Sequence, residues 1–99
     1  MPVLLTFDIP VSREVVEAVG DEMGVRDDPP DGLIAHVLTE ISDGCHIVDI
    51  WDSGEQFERF RDARLLPAMG KVMAARGIAA PDRPIEPEIT PAHDLVRGR

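Results

Sequence analysis

Tyrosine and asparagine are absent from the 99 residues, and cysteine and tryptophan occur once each, as Cys45 and Trp51. A lone cysteine excludes an intramolecular disulfide. Basic side chains are also scarce: ten Lys and Arg stand against 19 Asp and Glu, a net charge of −9, so neither nucleic acid nor an anionic membrane is an expected partner. No apolar run approaches the roughly 18 residues of a membrane span, and the chain enters a β-like segment without a basic leader or long apolar stretch; the expected location is the cytoplasm. Gly20, Gly24, Gly32 and Gly44 stand singly, with no phosphate-cradling loop, so a nucleotide cofactor is not expected. The histidines, His36, His46 and His93, show no short ligand spacing, and Cys45 has no second thiol, so no metal site is expected either. The expectation is a protein that uses no cofactor.

What is present is ordinary globular composition, 43% hydrophobic and 29% charged, which places the chain among folded proteins. Residues 1–99 fit one domain. A chain this short buries only about two thirds of its unfolded surface, so a partner subunit would add needed burial.

Val3, Leu5, Phe7 and Ile9 alternate with Leu4, Thr6 and Asp8 before Pro10, which predicts a strand with one strongly apolar side. Ser12 then caps a helix over about residues 13 to 24, with Val15, Val16, Val19 and Met23 at helical spacing. The run from Asp27 to Gly32, holding Pro29 and Pro30, cannot continue it. Leu33 to Ile41 and Cys45 to Trp51 form a hairpin around Ser42-Asp43-Gly44. With Asp43-Gly44 as the two-residue loop, Ser42 faces Cys45, Val37 faces Ile50, Leu38 faces Asp49 and His36 faces Trp51. One side then carries Val37, Thr39, Val48 and Ile50, and the other Ile34, His36, Leu38, Glu40, Ile47, Asp49 and Trp51. A three-residue loop would exchange the faces. Ser53 and Gln56 form a capping box for a helix near 54 to 64; Pro67 breaks it, and a second helix near 67 to 76 ends at Gly77. The stretch from Pro81 to Val96, with Pro84, Pro87 and Pro91, predicts an edge strand within residues 86 to 96.

The mixed hairpin face is the candidate site. His36 beside Asp49 would be a general base poised near neutral pH, and Trp51 would offer a flat wall to an aromatic ligand, with Leu38, Ile47 and His93 as further binding residues. The plainer reading is that His36 and Asp49 satisfy each other as a buried polar pair. His46, near the end of its strand on the face directed toward the helices, reads as a solvated or capping side chain. Cys45 reads as a small buried apolar group. Arg59, Arg61 and Arg64, interleaved with Glu55, Glu58 and Asp62, read as a solvated, salt-bridged helix face.

The order strand, helix, strand, strand, helix, strand is the ferredoxin-like α+β topology. The run Trp51-Asp52-Ser53-Gly54-Glu55-Gln56-Phe57-Glu58-Arg59-Phe60, followed by Leu65-Leu66-Pro67, resembles the dimeric α/β-barrel superfamily, in the branch of antibiotic-biosynthesis monooxygenase-like proteins. Glu88-Ile89-Thr90-Pro91-Ala92-His93 is similar to the last strand of actinobacterial members. The resemblance implies a homodimer with two four-stranded antiparallel sheets face to face, helices outside, and a cavity for a small apolar or aromatic metabolite. The face carrying Ile34, Leu38, Ile47 and Trp51, too apolar to leave in water, would be the one a second sheet covers. Activities in the superfamily include cofactor-free oxygenation, isomerisation, cyclisation, dehalogenation and haem degradation, so fold alone does not choose among catalysis, ligand binding and a structural role. The missing tyrosine and asparagine remove positions that the antibiotic-type oxygenases use and leave Trp51 as the counterpart of their tryptophan. With no histidine in a helix, haem degradation is not expected.

Overall fold

The computed structural model describes residues 1–79 and 86–99. Its elements are β1 (Val3–Ile9), α1 (Arg13–Met23), β2 (Leu33–Ile41), β3 (Gly44–Trp51), α2 (Gly54–Phe60), a π-helical turn (Arg61–Leu65), α3 (Leu66–Ala75) and β4 (Glu88–Pro91). The four strands form one antiparallel sheet in the order β2-β3-β1-β4, the ferredoxin-like arrangement.

Local chemistry sets the element ends. Ser12 Oγ accepts the Val15 amide at 3.4 Å, and Gly24 closes α1 in the left-handed conformation. Half of the expected capping box forms: Ser53 Oγ accepts the Gln56 amide at 3.3 Å, while Gln56 Oε1 accepts from the Ser53 hydroxyl at 3.0 Å in place of the Ser53 backbone amide. Pro67 does not break the second helix. The Leu66 amide instead bonds back to the Arg61 carbonyl, a π-type turn, and α3 begins with Pro67 in its first turn. Helical structure therefore runs without a gap from Gly54 to Ala75. Gly77, at φ +69°, follows the last turn, and the Ile78 amide returns to the Met73 carbonyl. β4 is short and lies at the sheet edge, where Pro91 removes no needed donor. Pro81 and Pro84 lie outside the described residues.

The hairpin register differs from expectation. Ser42-Asp43 is the loop, Ile41 faces Gly44, and the pairing runs Leu38 with Ile47, Val37 with Val48 and His36 with Asp49. Moving a two-residue loop back by one position slides the partner strand by two, and because the side-chain period is also two, the residues sharing each face are retained. Ile34 is the exception. A bulge there leaves Leu33, not Ile34, opposite Trp51.

The covered face is the opposite of the one expected. Leu5 faces Asp49, Phe7 faces Ile47 and Ile9 faces Cys45, so the apolar side of β1 continues into the Trp51 face of β3. That continuous face packs under this chain's own helices. Leu5 and Trp51 meet Phe57, while Ile9, Cys45 and Ile47 meet Val16 and Met69. Val15 and Val19 of α1 pack on Ala68 and Val72 of α3 above them. The uncovered face instead carries Leu4, Val48 and Ile50 with Val37 and Ile41, the last two exposed. His46 also lies there, away from the helices and paired with Asp8, because it faces Asp8 across the β1–β3 ladder.

Candidate functional site

Asp49 is the one buried charged residue among the described residues, and the sheet explains how it is satisfied. On β3, an inner strand of the sheet, it has Leu5 on one side and His36 on the other. Trp51, two residues along the same strand, projects to the same face. His36 Nδ1 lies 2.6 Å from Asp49 Oδ1, and the Trp51 indole N–H donates to Asp49 Oδ2 at 3.1 Å. Each carboxylate oxygen thus receives one ring N–H. A carboxylate beside Nδ1 fixes the proton there, which leaves Nε2 as the acceptor of the neutral ring. No hydrogen bond among the described residues engages Nε2. The His36 side chain is 47% exposed while that of Asp49 is 7% exposed, so the pair has one buried and one accessible end.

The hydrogen bond to Asp49 raises the His36 pKa above its ordinary value. Partial burial opposes the shift, the Asp49 charge adds to it, and the Arg26 charge, from the segment after α1, works against it. The imidazole remains a base, somewhat stronger than free histidine.

Trp51 is fully buried, its ring centroid 5.6 Å from that of Phe57 and 5.3 Å from that of Phe60. It therefore offers no face to a ligand in this conformation; the phenylalanines occupy that place. Ile47 is buried and Leu38 half-buried in the cluster around Ile9 and Cys45, where they serve the core. His93 is exposed, two residues past β4, at the opposite edge of the sheet from His36. The fold unites His36, Asp49 and Trp51 and leaves His93 apart.

Space is distributed unexpectedly. Between sheet and helices, the gap lined by Phe7, Phe57, Leu65 and Met69 holds about 20 Å³, room for about one water molecule and none for an aromatic ligand. A larger cleft of about 430 Å³ opens at the surface between Asp28–Asp31 and the helix bearing Gln56, Arg59, Phe60 and Arg64. Phe60 lines this cleft and touches Trp51, which bonds Asp49, which bonds His36. Cleft and imidazole are thus linked through three side chains rather than sharing a wall.

Arg64 departs from the solvated role expected of it. Its Nη2 donates to the backbone carbonyls of Met23, at 2.7 Å, and Asp28, at 2.9 Å, and so ties the segment after α1 to the second helix. Arg61 pairs with Asp62 at 3.0 Å. Sequence reasoning missed the Arg64 clamp, the influence of Arg26 and the indole bond. Only the last had a local signal, the Asp49–Trp51 spacing on one strand face. Among the described residues no group of three or more His, Cys, Asp and Glu side chains converges, and no helix is long and apolar enough to cross a membrane.

Comparison with known proteins bears on the fold. No family model matches the sequence, and no curated protein matches it significantly. Solved structures do match. Rv0793 from Mycobacterium tuberculosis superposes with a TM-score of 0.59 at 20% identity, over 98% of this chain and 100% of that one. A protein described as a candidate antibiotic biosynthesis monooxygenase from Chloroflexus aurantiacus gives 0.57 at 22% identity, over 99% and 100%. SnoaB from Streptomyces nogalater, described as a cofactor-independent oxygenase, gives 0.55 at 15% identity, over 96% and 94%. The chain has the fold of antibiotic-biosynthesis monooxygenase-like proteins along nearly its whole length.

Proposed function

We propose that the chain works as a homodimer in which His36, held by Asp49, accepts a proton from a small aromatic metabolite and so starts a cofactor-independent oxygenation. The observation that carries this reading is the His36–Asp49–Trp51 chain, with a buried carboxylate in the middle and a half-exposed imidazole at one end. Such an imidazole takes a proton from an acidic C–H or O–H group of the ligand. The resulting delocalised anion is electron-rich enough to react with dioxygen directly, and proton return with loss of water completes the oxidation. The fold likeness to SnoaB supports this class of reaction and gives no substrate. The same proton abstraction without oxygen would serve an isomerase or cyclase.

Dimerisation is supported by the uncovered sheet face. Leu4, Val37, Ile41, Val48 and Ile50 form an apolar surface on a domain too small to leave it wet without cost, and a second copy would bury it.

The test uses an anthrone, whose doubly benzylic C–H is acidic and whose oxidation by O2 to the anthraquinone releases one water. Oxygen uptake above the uncatalysed rate, lost in His36→Ala and Asp49→Asn while both variants keep wild-type circular dichroism, supports the base role. Full turnover in those variants would sink it. A second reading, a non-catalytic dimer that binds or scaffolds, is favoured by the small gap between sheet and helices at Phe7 and Phe57 and by the mutually satisfied His36–Asp49 pair. An absence of uptake with anthrone and with simple naphthols would move the assignment to that reading.

A further inference from the structure

Trp51 is buried against two phenylalanines, yet it also makes the second of the two hydrogen bonds to a buried carboxylate. Apolar packing alone would be met by phenylalanine at this position; the indole N–H adds something phenylalanine lacks. That proton lies on Oδ2, while Oδ1 takes the His36 ring. A carboxylate bonded at both oxygens cannot rotate without losing one bond, and its charge is divided between the two donors. No buried side-chain polar atom among the described residues lacks a partner, so the site has no spare donor to replace the indole.

We infer that Trp51 is a positioning residue for His36: its N–H pins Asp49 and takes up part of the carboxylate charge, and so sets both the tautomer and the basicity of the imidazole. The inference rests on the reading of His36 as a base and deepens it. The charged groups that act on the ring are Asp49 from β3, which favours its protonation, and Arg26 from the segment after α1, which opposes it. Trp51 acts on the first of these.

Trp51 is the only tryptophan in the chain, so biosynthetic replacement in a tryptophan auxotroph changes this position alone. Benzothienylalanine, with sulfur in place of the indole N–H, keeps the ring shape and the packing and removes only the donor. Trp51→Phe provides the second, genetically encoded variant. The measurement is the His36 pKa from histidine ring NMR, assigned by the resonance lost in His36→Ala. With the indole bond gone, the undivided carboxylate charge should raise the His36 pKa by on the order of half a unit. Asp49→Asn should lower it. The acid limb of the pH–rate profile should move with the pKa in each case. An unchanged or lowered His36 pKa in the benzothienyl protein would overturn the inference, because a purely packing role leaves the titration untouched. The two readings fail separately. If His36→Ala and Asp49→Asn oxidise anthrone normally while the sulfur replacement still raises the pKa, the base role falls and the coupling stands. If Asp49→Asn abolishes turnover and the sulfur replacement leaves the pKa alone, the coupling falls and the base role stands.

Discussion

Replacing Gly44 by alanine would place a methyl group 2.1 Å from the Ile9 carbonyl oxygen, closer than real side chains come, and 3.0 Å from Pro10 Cα, a tight contact. The obstacle is backbone, so no rotamer change relieves it. Gly44 opens β3, and its neighbour Cys45 pairs with Ile9; both Cys45 and Ile9 are buried in the cluster with Ile47. Relief therefore requires the end of the β1–β3 ladder to separate by at least about 1.2 Å, the shortfall of the 2.1 Å contact from an ordinary carbon–oxygen contact of roughly 3.3 Å. Overpacking of this kind costs ~1–3 kcal/mol, and φ of +155°, a value L-residues rarely adopt, adds to it. A total near 2 kcal/mol corresponds, at ~4–8 °C per kcal/mol for a domain of this size, to a Tm lowered by roughly 8–16 °C. Gly20→Ala is the matched control, since nothing lies within 4 Å of its added methyl in the middle of α1 and it should gain ~0.5–1 kcal/mol from helix propensity. Thermal unfolding by circular dichroism at one fixed protein concentration compares the three proteins, because association makes Tm concentration-dependent. A Gly44→Ala protein melting within 2 °C of wild type, the lower bound of what ~0.5 kcal/mol would produce, would refute the close approach and with it the placement of the hairpin against β1.

Arg64→Ala should cost about 1–2 kcal/mol, since it strips two carbonyls of a charged donor, and should speed amide exchange in residues 24–32 before it affects α1; uniform exchange changes would contradict a local clamp. Ile50→Asp, on the uncovered sheet face, should turn a dimer into a monomer in sedimentation equilibrium with the fold intact. Wild-type protein that sediments as a monomer would end the dimer reading. Because the His36 pKa is raised in the fold, its contribution to stability is complete below the unfolded value of about 6.5 and disappears as pH rises through the folded value. His36→Gln should accordingly destabilise more at pH 6 than at pH 9 in urea melts, and a penalty that grows with pH would contradict the His36–Asp49 pairing.

Periodicity made the elements legible, and the reasons the remainder was not are particular. Ser42-Asp43 and Asp43-Gly44 are both good two-residue loops by local chemistry. The choice between them was made by a tertiary contact, the need for a residue without Cβ at position 44 beside Ile9, and no reading of the hairpin alone contains that. Which face the helices cover was undecidable from the hairpin, where both sides are apolar: Val37, Val48 and Ile50 on one, Leu38, Ile47 and Trp51 on the other. It follows from β1, whose apolar side is unambiguous, once the β1–β3 register is known. His36, Asp49 and Trp51 came together because strand spacing and a slide of two residues both preserve the face. The function assigned to Trp51 by type, a wall for a ligand, failed because Phe57 and Phe60 of the following helix reach the same place.

The π-helical turn at Arg61–Leu65 sets the angular phase of everything after it. One residue advances a regular α-helix by about 100°, and a π turn accommodates one residue more than the α geometry would. Wound instead as regular α-helix, the same residues would rotate α3 by about that angle, carrying Ala68 and Val72 away from Val15 and Val19, whereas a chain one residue shorter there would keep α3 in phase without the π turn. The wider turn absorbs one residue without the rotation it would otherwise add, and so keeps a first half that must lay Phe57 on the sheet in phase with a second half that must lie along α1.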